Sequence, residues 1–121
     1  AIKIEGLFKY VRTRSVPAQE KPYPPLIEVV KTQSEFEFNN VKGTLVGFRL
    51  PEYINGINVP KYHLHFITEN KEGGGHLLEL ETEKVQAGID FTDKIFVTLP
   101  KTRAFYDADL NKEKDLKKVE R

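Results

Sequence analysis

Tyr62-His63-Leu64-His65-Phe66-Ile67, then Thr68-Glu69-Asn70-Lys71-Glu72-Gly73-Gly74-Gly75, then His76-Leu77-Leu78-Glu79-Leu80-Glu81, reads as strand, loop and strand. The middle segment is polar and glycine-rich, as a connection should be. All three histidines of the chain fall between positions 63 and 76. Successive strand residues point to opposite faces, so His63 and His65 share one face and Leu64 and Phe66 take the other. An antiparallel return strand puts His76 beside the pair. Ile67 is expected on the face of His63 and His65, and Leu78 and Leu80 on the face of His76. That arrangement places a metal on the apolar, shielded side of the sheet. Three neutral imidazoles with a fourth position open to water or substrate describe a catalytic zinc site rather than a closed structural one. Zinc is favoured over iron, manganese or nickel because imidazole suits it and it is common. The chain has no cysteine, which excludes a Cys-rich zinc site.

Outward from this stretch, the chain reads as more sheet. Residues 2–14 alternate as a strand around a possible bulge at Gly6. Pro17, Pro22, Pro24 and Pro25 make 17–25 irregular, since proline removes amide donors and fixes φ. A short helix is expected near 25–33, with Pro25 in its first turn. Strands are expected at 34–38 and 43–50, joined by a turn at 39–42. Pro51 to Pro60 reads as a loop containing the turn signal Asn55-Gly56. Further strands are expected at 61–68, 76–83, 85–90 and 94–99, the last ended by Pro100. A C-terminal helix is expected over 109–120, capped by Asp109 or Asn111. The predicted fold is therefore α+β: a mainly antiparallel or mixed sheet of six or seven strands with two helices. Phe36, Phe38, Phe48, Phe66 and Phe96 are core candidates, and Gly73 to Gly75 read as a flexible turn.

At 121 residues, one domain spanning 1–121 is expected. Lys+Arg 19 against Asp+Glu 18 gives a net charge of +1 and no basic face for nucleic acid. The run Lys112 to Arg121 is interleaved with Glu113, Asp115 and Glu120 and reads as a solvated helix face. Without cysteine there is no disulfide framework and no thiol nucleophile. The compartment stays open between cytosolic and disulfide-free secreted. No segment approaches a membrane span, and none reads as a signal peptide. The chain starts at Ala1 and has no methionine, so a processed or excised piece is expected. No strand–G-x-G-x-x-G–helix unit is present to hold a nucleotide.

Gly43-Thr44-Leu45-Val46-Gly47-Phe48, Pro51-Glu52-Tyr53, Tyr62-His63-Leu64-His65-Phe66 and Gly74-Gly75-His76 resemble the C-terminal half of bacterial α-acetolactate decarboxylases. So do Ala1-Ile2-Lys3-Ile4-Glu5-Gly6 and Arg12-Thr13-Arg14-Ser15-Val16-Pro17, and the match runs in order over nearly the whole chain. The resemblance implies conversion of (S)-2-acetolactate to (R)-acetoin and carbon dioxide. It implies zinc on His63, His65 and His76, an active-site arginine at Arg14 rather than Arg12, and a C-terminal glutamate whose nearest match is Glu120. The carry-over to Glu120 requires a one-residue gap. The resemblance also implies 2-acetolactate as small-molecule substrate, an N-terminal half of the same enzyme as partner, and a homodimer. Lys61 departs from the family, which usually has glycine there. The missing half puts activity of this chain alone in question. A cupin-type metal protein is the rival reading, because His63-x-His65-x-x-x-Glu69 has the spacing of the first cupin motif. Its second motif is not found.

Overall fold

A computed structural model describes residues 1–110. Four strands, β1 (Ile2–Ser15), β2 (Ser34–Leu50), β3 (Lys61–Thr68) and β4 (Gly74–Ile89), close into an antiparallel barrel in the order β1-β2-β3-β4. Two short helices, α1 (Leu26–Val29) and α2 (Arg103–Asp107), lie outside the strands in sequence. The long β2 serves two neighbours. Ser34 to Gly47 pair with β1, and Gly43 to Leu50 pair with β3. β4 pairs with β1 along most of its length and touches β3 only through His65↔His76, Phe66↔Gly75 and Ile67↔Gly74. Closure leaves the sheet without a free lateral edge over the paired residues, which protects it from edge-to-edge association.

Among the described residues the expected six or seven strands are four. The segments 34–38 and 43–50 form one strand, because Asn39, Val41 and Lys42 pair with β1 instead of turning. Asn40 takes φ +50 and is accommodated within the strand. Segments 76–83 and 85–90 likewise merge, held together by continuous pairing to β1 with local irregularities around Leu7, Phe8 and Tyr10. These irregularities follow the bulge expected near Gly6. Residues 94–99 form no strand, and Phe96 stays 91% exposed. Their alternation alone cannot make a strand without a partner row to pair with. The helix near 25–33 is one α-turn followed by a 3-10 turn at Val30–Thr32, its end held by Thr32 Oγ1 donating to the Val29 carbonyl at 2.8 Å. α2 was not expected; Thr102 caps it by accepting from the Phe105 N–H at 3.3 Å. The helix expected over 109–120 falls almost wholly outside the described residues. Among the described residues no helix is long and apolar enough to cross a membrane.

The barrel interior is filled by Phe8, Val11, Leu45, Leu64 and Phe66, with Phe38, Leu77, Leu80 and Val85 packed around them. Phe8 and Phe66 meet edge to face at 5.5 Å between ring centres, and Phe38 lies 5.6 Å from Phe66. Each buried Leu or Phe here contributes roughly 1.5–3 kcal/mol by leaving water. Phe36 and Phe48 are exposed, contrary to expectation. Phe48 stands opposite His63, on the side of β2 away from the core, whereas Phe36 shares the parity of Phe38 but lies two residues nearer the start of the strand, beyond the core cluster.

Lys61 opens β3 with φ +66, the left-handed region that glycine adopts freely and other residues enter at a cost of about 1–2 kcal/mol. The ion pair from Lys61 to Glu52, at 3.8 Å and well exposed, offsets little of it. Lys61→Gly is expected to raise stability by up to about 1 kcal/mol, the relief of strain exceeding the added freedom of the unfolded chain. Urea unfolding midpoints of the two proteins check it; an unchanged or lower midpoint in the variant contradicts the strain.

Candidate metal centre

The pleat of β3 sorts the quoted stretch as expected: Leu64, Phe66 and Thr68 are buried, while His63 and His65 point the other way. That other way is outward. The core lies on the Leu64 and Phe66 side, and Ile67 is 44% exposed. The expected shielded, apolar face for the metal is therefore corrected: the histidines stand on the outer wall of the barrel. On β4 the expected period also breaks. Leu77 and Leu80 both reach the core, because the pairing with β1 shifts between Arg12↔Glu79 and Thr13↔Leu77. This bulge, which leaves Leu78 outside the pairing, turns His76 to the outer face, away from Leu80.

Gly74 and Gly75 are strand residues, not a flexible turn. A Cβ on Gly75 would come within 2.5 Å of the Arg14 carbonyl oxygen, and one on Gly74 would collide with the Phe66 carbonyl. Gly75 also takes φ +139. Side-chain-free backbone lets β4 wedge between β3 and β1 at this level. Thr13, fully buried, donates its hydroxyl to the Gly74 carbonyl at 3.1 Å and fixes the approach.

The result is one row across the outer wall: His65 opposite His76, and His76 opposite Arg14. Directly opposed residues hold their Cβ atoms about 4.5–5.5 Å apart. The three imidazole rings lie 5.1–5.2 Å from one another between centres. His63 Nε2 and His65 Nε2 are 3.2 Å apart, and one nitrogen from each of the three rings falls within 4.8 Å of the others. Tetrahedral ligands at about 2.0–2.1 Å from an ion are separated by roughly 3.3 Å, so the donor set fits a divalent metal. Glu69 is outside this group. It sits in the β3–β4 connection with its N–H donating to the Lys42 carbonyl, which removes the cupin ligand pattern.

His76 is held in its neutral, ligating form. Burial, then the positive charge of Arg14, then the neighbouring His63 and His65, push its pKa down to about 4. Arg14 is 7% exposed, an unusual place for a guanidinium and one that favours meeting an anion in a water-poor setting. Beside His63 and His65 opens a cavity of about 290 Å³ lined by Gly47, Phe48, Leu50 and Asn58. Phe48 stands opposite His63 in the β2–β3 register. The lining by Phe48 and Asn58 was not legible from spacing: the first follows from the β2–β3 register and the second from the path of the 51–60 connection. Glu120 lies outside the described residues.

Fold and site together define a class: a small closed β-barrel whose outer wall carries a three-histidine group able to hold a metal, with a buried arginine in the same row. The family model described as alpha-acetolactate decarboxylase matches residues 1–112. The chain belongs to the alpha-acetolactate decarboxylase family. It is 57% identical over 123 aligned residues to the alpha-acetolactate decarboxylase of Methanosarcina mazei, covering 100% of this chain and 43% of that protein. To the one from Bacillus subtilis strain 168 it is 48% identical over 120 residues, covering 99% and 47%. The crystal structure of acetolactate decarboxylase from Bacillus subtilis subspecies spizizenii superposes with a TM-score of 0.90 at 47% identity, covering 98% of this chain and 51% of that one. The chain thus spans about half the length of the relatives it matches.

The depressed His76 pKa has a consequence for the metal-free protein. The unfolded chain takes up the proton near the ordinary value of 6.5, the folded one only near 4. Stability is therefore present above about 6.5 and is lost as pH falls towards 4. Urea unfolding at pH 7 and pH 5 should show a smaller drop for His76→Gln than for the parent. Equal drops would show that His76 does not carry the effect.

Proposed function

We propose that this chain carries the metal centre for decarboxylation of (S)-2-acetolactate to (R)-acetoin, with zinc held by His63, His65 and His76. The reading is supported above all by the His65–His76–Arg14 row, which sets a cation-binding group and a guanidinium side by side. Acetolactate presents matching chemistry: a hydroxyl and a ketone for the one, a carboxylate for the other. A bound divalent cation supplies Lewis-acid stabilisation of the charge that gathers on the ketone oxygen as carbon dioxide leaves. Arg14 holds the carboxylate through the planar fork of its guanidinium and fixes the scissile carbon–carbon bond relative to the ketone. When that bond breaks, its electron pair passes into the keto system. A proton must then reach the carbon that lost carbon dioxide, delivered from one face to set the (R) configuration. Glu120 is proposed as relay for that proton or as hydrogen-bond partner of a ligand histidine. Phe48 and Leu50 give the cavity beside His63 an apolar side suited to the methyl groups of a small substrate.

The outward-facing histidines and the partial coverage of the relatives support a further element. An N-terminal half of the same enzyme would cover this wall and complete the site, and the assembly is proposed to be a homodimer.

His65→Ala is expected to remove most of the bound zinc, read by elemental analysis of the purified protein. Metal content near the parent's would contradict the centre. Arg14→Ala should retain zinc yet lower kcat/KM for acetoin formation by at least about 100-fold in the complete enzyme, since the carboxylate loses both its charge partner and its orientation. Near-parental acetoin production would remove Arg14 from the reaction.

A further inference from the structure

Phe91-Thr92-Asp93-Lys94-Ile95-Phe96-Val97-Thr98-Leu99 has the chemistry of a strand and no strand beside it. It is rich in β-branched and aromatic residues, and Pro100 ends it. Phe91, Ile95, Val97 and Leu99 stand at alternate positions, so an extended backbone gathers them on one face. Asp90 still belongs to the barrel. Its N–H donates to the Ala1 carbonyl at 3.0 Å, and the Ala1 ammonium donates to the Asp90 carbonyl at 2.8 Å. Beyond Asp90 the pairing stops. Among the described residues no backbone hydrogen bond joins 91–99 to another segment. Phe91 is 92% exposed, and Ile95, Val97 and Leu99 are between 48% and 63% exposed. Open amides and carbonyls beside a bare apolar face are what a sheet edge pairs with. Left in water, such a run invites aggregation.

The bare surface extends past the segment. Where 91–99 leaves the barrel, a cavity of about 550 Å³ is lined by Ile2, Val46, Phe48 and Ile89 among others. Val46, Phe48 and Ile89 are exposed as well. Phe48 stands opposite His63, so the apolar patch runs on into the histidine wall. A body that covers the wall therefore meets the segment too. The relatives supply a candidate of the right size. They are about twice as long as this chain, and the superposition on the Bacillus structure takes in nearly the whole chain, this run included.

We propose that residues 91–99 dock by strand addition, pairing their backbone with a sheet edge in the N-terminal half of the same enzyme and laying Ile95, Val97 and Leu99 on its apolar surface. The inference rests on the N-terminal half invoked in the proposed function and assigns it a point of attachment. The segment then clamps that half to the same end of the barrel as His63 and Phe48.

The test uses the full-length, metal-loaded protein and two readouts that need no turnover. Amide hydrogen exchange across 91–99 should be slowed at least about 100-fold relative to an unstructured peptide. The photo-crosslinking analogue p-benzoylphenylalanine, in place of Phe96, should be captured by residues of the N-terminal half, since a paired strand has cross-strand neighbours on either face. Exchange at the unstructured rate overturns the proposal. So do crosslinks confined to the barrel, or crosslinks to the 91–99 segment of a second copy. The same analogue in place of Phe48 tests separately whether the N-terminal half covers the histidine wall. Capture from Phe48 but not from Phe96 keeps the covered wall and refutes the docking strand; capture from Phe96 alone does the reverse. If the substituted proteins do not fold, exchange in the parent decides.

Discussion

The pairing of β4 against β1 at the level of His76 and Arg14 is the constraint on which the site depends. It is set by steric means. Gly74 and Gly75 present no side chain, so their backbone can lie against the Phe66 and Arg14 carbonyls at once. Any Cβ there pushes β4 away from one neighbour or the other. The bulge at Leu78 then corrects the phase, sending Leu77 and Leu80 to the core while His76 keeps company with His65. A strand with perfect alternation would have put either a leucine in the metal group or a histidine in the core.

Much of the site was legible in the sequence because its spacing is local. H-x-H on a strand fixes two rings on one face by the pleat alone, and a short polar loop brings the third within reach. What spacing could not reveal was which face. Ile67, Leu78 and Leu80 suggested an apolar surrounding, but the heavier aromatic pair, Phe8 against Phe66, decided where the inside lies. Arg14 was named from family resemblance. Its position opposite His76 follows from a register between strands more than sixty residues apart, which no local pattern encodes.

The fold was legible in kind and wrong in count. Glycines and asparagines inside β2 and β4 read as turns, since those residues favour turns when nothing holds them. In a small barrel the neighbouring strand does hold them. Asn39 and Gly43 stay in line because β1 supplies partners opposite them, and the unpaired Asn40 is carried between Asn39 and Val41, which are both paired. The segment 94–99 shows the reverse case: strand-like alternation that goes unused where no partner lies alongside.

β3 has a consequence for how mutations will distribute. Between His63 and Phe66, neighbouring positions answer to different masters: odd numbers belong to the face of the three-histidine group and even numbers face the core. Substitutions marched along this strand should therefore alternate in effect, one disturbing the histidine group while sparing the fold, the next loosening the core while sparing the histidines.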